Sequence, residues 1–158
     1  MSALLSFDPS LRRPLFDLLV RMARVDPMIA APQLAAVRGA QIALGLVDVE
    51  LDTAVLRSTT GAWRVIASGS DRERSLAYAA ARWVALADGV LDDAEMELLA
   101  RLKNELRLGD AAVRLADTIA NGVACRARTE KLPPHRAFAL LVVQVARHAE
   151  RRRALRAA

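Results

Sequence analysis

Leu11, Leu15, Leu18, Leu19, Met22 and Val25 recur at the three-to-four-residue spacing that gathers apolar side chains on one face of an α-helix, so a first helix is expected over residues 10–24. Asp8-Pro9 starts it and Asp26-Pro27 stops it. Pro32 suits the first turn of a second helix, where its missing N–H would be unpaired anyway, and the pattern runs on through Leu34, Val37 and Ile42 to Gly45. Asp48 is placed to cap a third helix from Val49 to about Leu56, with Thr59-Thr60-Gly61 ending it. Trp63 to Ala67 is a short β-like string whose state the pattern leaves open.

Beyond it, Ser70 and Glu73 have the spacing of a capping box and open a fourth helix with Leu76, Ala80, Trp83, Val84 and Ala87 inward. Asp88-Gly89 ends that helix, because glycine readily takes the positive φ of a helix stop. A fifth helix begins at Asp92, which forms a second capping box with Glu95, while Leu91 and Met96 match a hydrophobic staple. Leu99, Leu102 and Leu106 carry its inner face. Asp110 is placed to cap a sixth helix with Val113, Ala116, Ala120 and Val123 on one face, Gly122 being its weak point. Pro133-Pro134 opens a last helix that buries Phe138, Leu141, Val142 and Val145 and ends in Arg151, Arg152 and Arg153, cations suited to the negative end of a helix dipole.

Displacing the sequence by 62 residues lays Asp26 on Asp88, Phe16 on Tyr78, Ile29 on Leu91, Leu44 and Leu46 on Leu106 and Leu108, and Asp48 on Asp110. The expected architecture is therefore an all-α, single-domain bundle of about seven helices spanning residues 1–158. Within it, three-helix pseudo-repeats cover about residues 8–69 and 70–131, and a closing helix covers about 133–156. The two acidic corners differ, since Pro27, Ala30 and Gln33 stand where the second has Gly89, Asp92 and Glu95.

Composition agrees with this pattern. Hydrophobic residues make up 54% of the 158 and charged ones 26%, which excludes a disordered chain, and the 4% aromatic content disfavours strands. The single cysteine, Cys125, has no internal partner, and its apolar neighbours suggest a buried, inert thiol. The N-terminal stretch lacks the features of a signal peptide, and the longest apolar run, Ala137 to Val143, is far below the roughly twenty residues of a membrane span. A cytoplasmic protein is expected. Its net charge of +5 is carried almost wholly by arginine, Lys103 and Lys131 being the two lysines, a skew that together with the abundant alanine looks like a high-GC coding bias. His135 and His148 lie outside any metal-binding or nucleophile-activating spacing, and phosphate-loop, nucleophile-elbow and zinc-helix motifs do not occur, so no enzyme is expected.

Candidate chemistry concentrates at the second corner. With Gly89 as the sixth position of a calcium loop, Leu91, Asp92 and Glu95 fall on the eighth, ninth and twelfth, as that loop requires, but Val84 and Leu86 at the first and third offer no side-chain oxygen. What remains is a partial shell of Asp88, Asp92, Asp93 and Glu95, suited to a hard divalent cation, calcium or magnesium. The same acids are also what a turn and a capping box need, an arrangement worth about 0.5–2 kcal/mol without any ion.

The run from Ala87 to Glu95, ADGVLDDAE, following an alanine-rich helix and entering a leucine-rich one, resembles the A-D-G-x-[IVL]-x-x-x-E signature of TerB-like domains, the tellurite-resistance protein B group. That resemblance implies a pseudo-symmetric helical bundle, a divalent cation near these helix ends, and a non-enzymatic role in stress response through protein partners or a membrane-associated assembly. It places Asp88, Asp92 and Glu95 on the family's second corner and Asp26 on its first. Pro27 and Gln33 depart from a site needing acids from both halves. The alternative is a basic helical protein that binds nucleic acid or an anionic surface through Arg147, Arg151, Arg152, Arg153 and Arg156.

Overall fold

In the computed structural model, which describes residues 7–51 and 59–158, every regular element is helical. Seven α-helices follow in order among the described residues: α1 (Pro9–Ala23), α2 (Ala31–Ala43), α3 (Thr59–Ala67), α4 (Asp71–Ala85), α5 (Asp93–Glu105), α6 (Asp110–Thr129) and α7 (Pro134–Ala157). A 3-10 turn, Leu86–Asp88, extends α4.

The caps explain most of the boundaries. Asp8 accepts from the Ser10 N–H at 2.9 Å ahead of α1, and Ser70 and Glu73 close a reciprocal box at the start of α4. α6 differs from expectation. Gly109, not Asp110, is its N-cap, and the Asp110 carboxylate instead takes the Lys103 ammonium at 2.6 Å, which holds its carboxyl below the usual range. Met96, expected to staple to Leu91, is about half exposed.

The expected third helix falls largely outside the described residues. Of it, Asp48 stands in a turn, Val49 and Glu50 are irregular, and Leu51 is helical. Thr59-Thr60-Gly61 does not end a helix but begins α3, and the β-like string Trp63–Ala67 is helical. The reason is tertiary. Trp63 and Ile66, three residues apart, both face the core, and Arg21 of α1 lies over the Trp63 ring at 4.7 Å; burial outweighs the modest strand preference of these side chains.

α1 packs on α3 and α4, α4 on α6 and α7, and α2 on α7, the most extensive pairing among the described helices. Phe16, Leu76, Leu102 and Phe138 meet in one core, with Trp83 tilted against Phe138 at 5.8 Å. A half-buried Arg82–Asp117 ion pair at 3.1 Å joins α4 to α6.

Several equivalences recur at one offset. α1 and α4 have 15 residues each and start at Pro9 and Asp71; α2 and α5 have 13 each and start at Ala31 and Asp93. Both intervals are 62 residues, as is that between Gln33 and Glu95, which touch. Both C-caps, Leu44 and Leu106, have φ −80°, and each is followed by a residue with positive φ, Gly45 or Arg107.

The α2–α7 crossing is tight. A Cβ on Gly39 would stand 2.5 Å from the Pro134 Cβ and 2.7 Å from the His135 nitrogen, so only hydrogen fits there, whereas a Cβ on Gly122 would meet nothing within 4 Å. Gly39→Ala is expected to cost about 1–3 kcal/mol through overpacking. Gly122→Ala, in an open helix interior, is expected to gain about 0.5–1 kcal/mol. Thermal melts of the two variants should therefore move in opposite directions, and a shared direction would contradict the packing described.

Candidate functional site

The second acidic corner is built by its backbone. Gly89 takes φ 87°, a left-handed conformation, and its N–H returns to the Leu86 carbonyl at 3.0 Å. Asp88 Oδ1 accepts from the Val90 N–H at 3.0 Å, an Asx turn. Asp92 Oδ1 accepts from the Glu95 N–H at 2.8 Å while Glu95 Oε2 accepts from the Asp92 N–H at 3.0 Å, completing the box. Asp93 is exposed in the first turn of α5, where the helix dipole favours an acid. At the first corner, Asp26 Oδ1 stands 3.5 Å from the Met28 N–H, a looser version of the Asp88 contact. Among the described residues, no three His, Cys, Asp or Glu side chains are grouped so that they could hold a metal ion.

Gln33 has a role that sequence reading missed. Its side-chain Nε2 donates to Glu95 Oε1 at 2.6 Å, and both residues are only 3% exposed. An amide thus stands where a second carboxylate would need a proton or a cation between the two acids. Burial pushes the Glu95 carboxyl above its ordinary value; the charges of Asp92 and Asp88 add to this, while the Asp92 N–H and the Gln33 amide pull the other way. The substitution of glutamine for a second acid was legible in the sequence. That Gln33 and Glu95 would touch was not.

A second arrangement forms at the far end of the bundle. α4, α6 and the distal half of α7 enclose a cleft of about 170 Å³. Its floor is apolar, made by Ala112, Leu115, Ala116 and Ile119 of α6 and Val145 of α7, and its rim carries Arg72, Arg152, Arg153 and Arg156 with His148 and Ser75. The helical repeat sorts the arginines singled out from sequence. Arg152, Arg153 and Arg156 line the cleft, whereas Arg147 and Arg151 are exposed on the opposite side of α7 and do not. Asp71, the acid on the cleft wall, is paired with Arg74. Sequence reading missed the floor and Arg72; the available signal was Ala112, Leu115, Ala116 and Ile119 at helical spacing on α6, a stripe adjoining the inward face already read.

Cys125 is exposed rather than buried, because it lies on the outer side of α6 while Val123 and Ala124 face inward. Tyr78 is buried, and burial together with the Asp117 charge pushes its phenol up to about 12, so it stays protonated and is no base at neutral pH. His135 is exposed at the start of α7. No helix of the described residues is long and apolar enough to cross a membrane.

No protein-family model matches the chain, and neither a curated protein nor a solved structure shows significant similarity to it.

The Gln33–Glu95 contact gives a pH-dependent expectation. The Glu95 carboxyl is raised in the folded state, so the folded protein holds its proton above pH 4.5, and stability from this group falls as pH rises through that window. Gln33→Met removes one of the contacts that pull the carboxyl down and leaves Oε1 unpaired, at a cost of about 1–3 kcal/mol near neutral pH. That cost should shrink as the pH approaches 4.5 and the acid is protonated. Denaturant unfolding at about pH 5 and about pH 7.5 measures the difference; an equal loss at both would contradict the assignment.

Proposed function

We propose that the chain is a non-catalytic helical binding module that takes an anionic ligand in the cleft between α4, α6 and α7. The observation that carries this reading is the pairing of an apolar floor with a rim of four arginines, Arg72, Arg152, Arg153 and Arg156, in one concave site. Arginine offers fixed, forked donors matched to carboxylate and phosphate oxygens, and remains charged throughout the physiological range. The likeness of the Ala87–Glu95 run to TerB-like domains agrees with a non-catalytic interaction role and would set it in stress response, within a multi-protein or membrane-associated assembly. The recurrent 62-residue offset supports a duplicated three-helix unit, to which α7 adds the cationic wall of the cleft.

The control for this reading lies on the same helix. Arg152→Glu/Arg156→Glu and Arg147→Glu/Arg151→Glu change net charge equally but on opposite sides of α7. Inorganic phosphate, titrated at low ionic strength and followed by backbone amide shifts, should perturb the cleft residues in the wild type and in the 147/151 variant. In the 152/156 variant the binding should weaken about tenfold or more. Equal weakening in the two variants would reduce the effect to general surface charge and end the proposal.

A second reading places calcium or magnesium at Asp88, Asp92, Asp93 and Glu95. Its support is the resemblance of the Ala87–Glu95 run to TerB-like domains; among the described residues the folded chain groups no three of these acids around one point, so an ion would have to draw them together. On this reading, millimolar calcium or magnesium raises the melting temperature of the wild type but not of Asp88→Ala. A melting curve unmoved by either ion removes it.

A further inference from the structure

Resting on the anion-binding reading of the same cleft, the geometry points to a narrower ligand class: a small amphipathic anion, one carboxylate or phosphate head joined to a compact apolar group about the size of a benzene ring. We infer this from volume, wall chemistry and the charges beside the rim. The cleft holds about 170 Å³, and an apolar protein cavity of about 150 Å³ accommodates benzene. A bare oxyanion would leave the floor unfilled, and a long acyl chain would exceed it.

The walls divide by polarity along the cleft's depth. Ala116, Ile119 and Val145 are each under a tenth exposed and present only hydrocarbon, so the inner part of a ligand gains by being apolar and loses by carrying unpaired polar atoms. The charged groups stand at the mouth, where the end of α7 puts Arg152 and Arg156 one helical turn apart. Ser75 and His148 add polar atoms to the wall.

The surroundings argue against an extended polyanion. Arg72 and Arg153 also line an adjoining notch with Ser70, Glu73 and Glu150. A nucleic-acid or polyphosphate backbone running out of the cleft on that side would meet two carboxylates. A single compact head held by Arg152 and Arg156 would not.

The test compares phenyl phosphate, inorganic phosphate and benzyl alcohol by calorimetry or amide shifts on the full chain. Phenyl phosphate should bind at least about tenfold more tightly than either of the others, since it alone uses both floor and rim. Ala112→Phe, which fills the floor from α6, should lower phenyl phosphate affinity to that of phosphate while leaving phosphate binding intact. Ala149 of α7 also lines the cleft, and Ala149→Leu fills it from that side and serves if the first variant melts early. Arg152→Glu/Arg156→Glu should weaken both anions. If phenyl phosphate and phosphate bind alike in the wild type, or if neither filled variant affects the phenyl advantage, this inference is overturned while anion binding stands. If neither anion binds at millimolar concentration, both readings are overturned together.

Discussion

The first turn of α7 lies against Gly39 of α2 so closely that a single methyl group would have no room, and that contact sets how near the start of α7 comes to α2. From this anchor the helix passes through the core, burying Ala137, Phe138, Leu141, Val142, Val145 and Ala146. It then leaves the core, and its last turns form a wall of the cleft. Stability and the candidate site thus depend on one helix, its first half held by packing and its second half offering charge.

The acidic corners show how a motif with the look of a ligand site can be explained by the backbone. Asp88, Asp92 and Glu95 accept hydrogen bonds from Val90, Glu95 and Asp92 respectively, so each serves a turn or a helix start. Glu95 alone is both buried and shared between elements, and its partner across the bundle is a neutral amide. A buried carboxylate facing an amide donor is satisfied without a counter-ion. Facing a second carboxylate it would require a proton or a cation. The identity of residue 33 therefore decides the electrostatics of the corner.

Local rules carried much of the fold. The caps at Asp8, Ser70 and Asp92, the left-handed stop at Gly89 and the proline opening of α7 were all legible, because each depends on residues within a few positions of one another. The failures were non-local. Trp63–Ala67 reads as β-like in isolation and is helical because Trp63 and Ile66 find the core. Asp110 reads as a cap, but Lys103, seven residues earlier, draws its carboxylate away. The arginines of α7 were legible as a cationic run, yet which of them line one cleft depended on the facing stripe of α6. Gln33 looked like a missing acid until its contact with Glu95 showed it to be the acid's partner.

In the proposed site, α6 and α7 receive an apolar group beneath an arginine rim. The most direct measurement is the set of intermolecular nuclear Overhauser contacts from bound phenyl phosphate on methyl-labelled protein. Contacts from the ring protons to the methyls of Ala112, Ile119 and Val145 together are the result expected. Ring contacts confined to any other surface, or none to these three at saturating ligand, would contradict the claim.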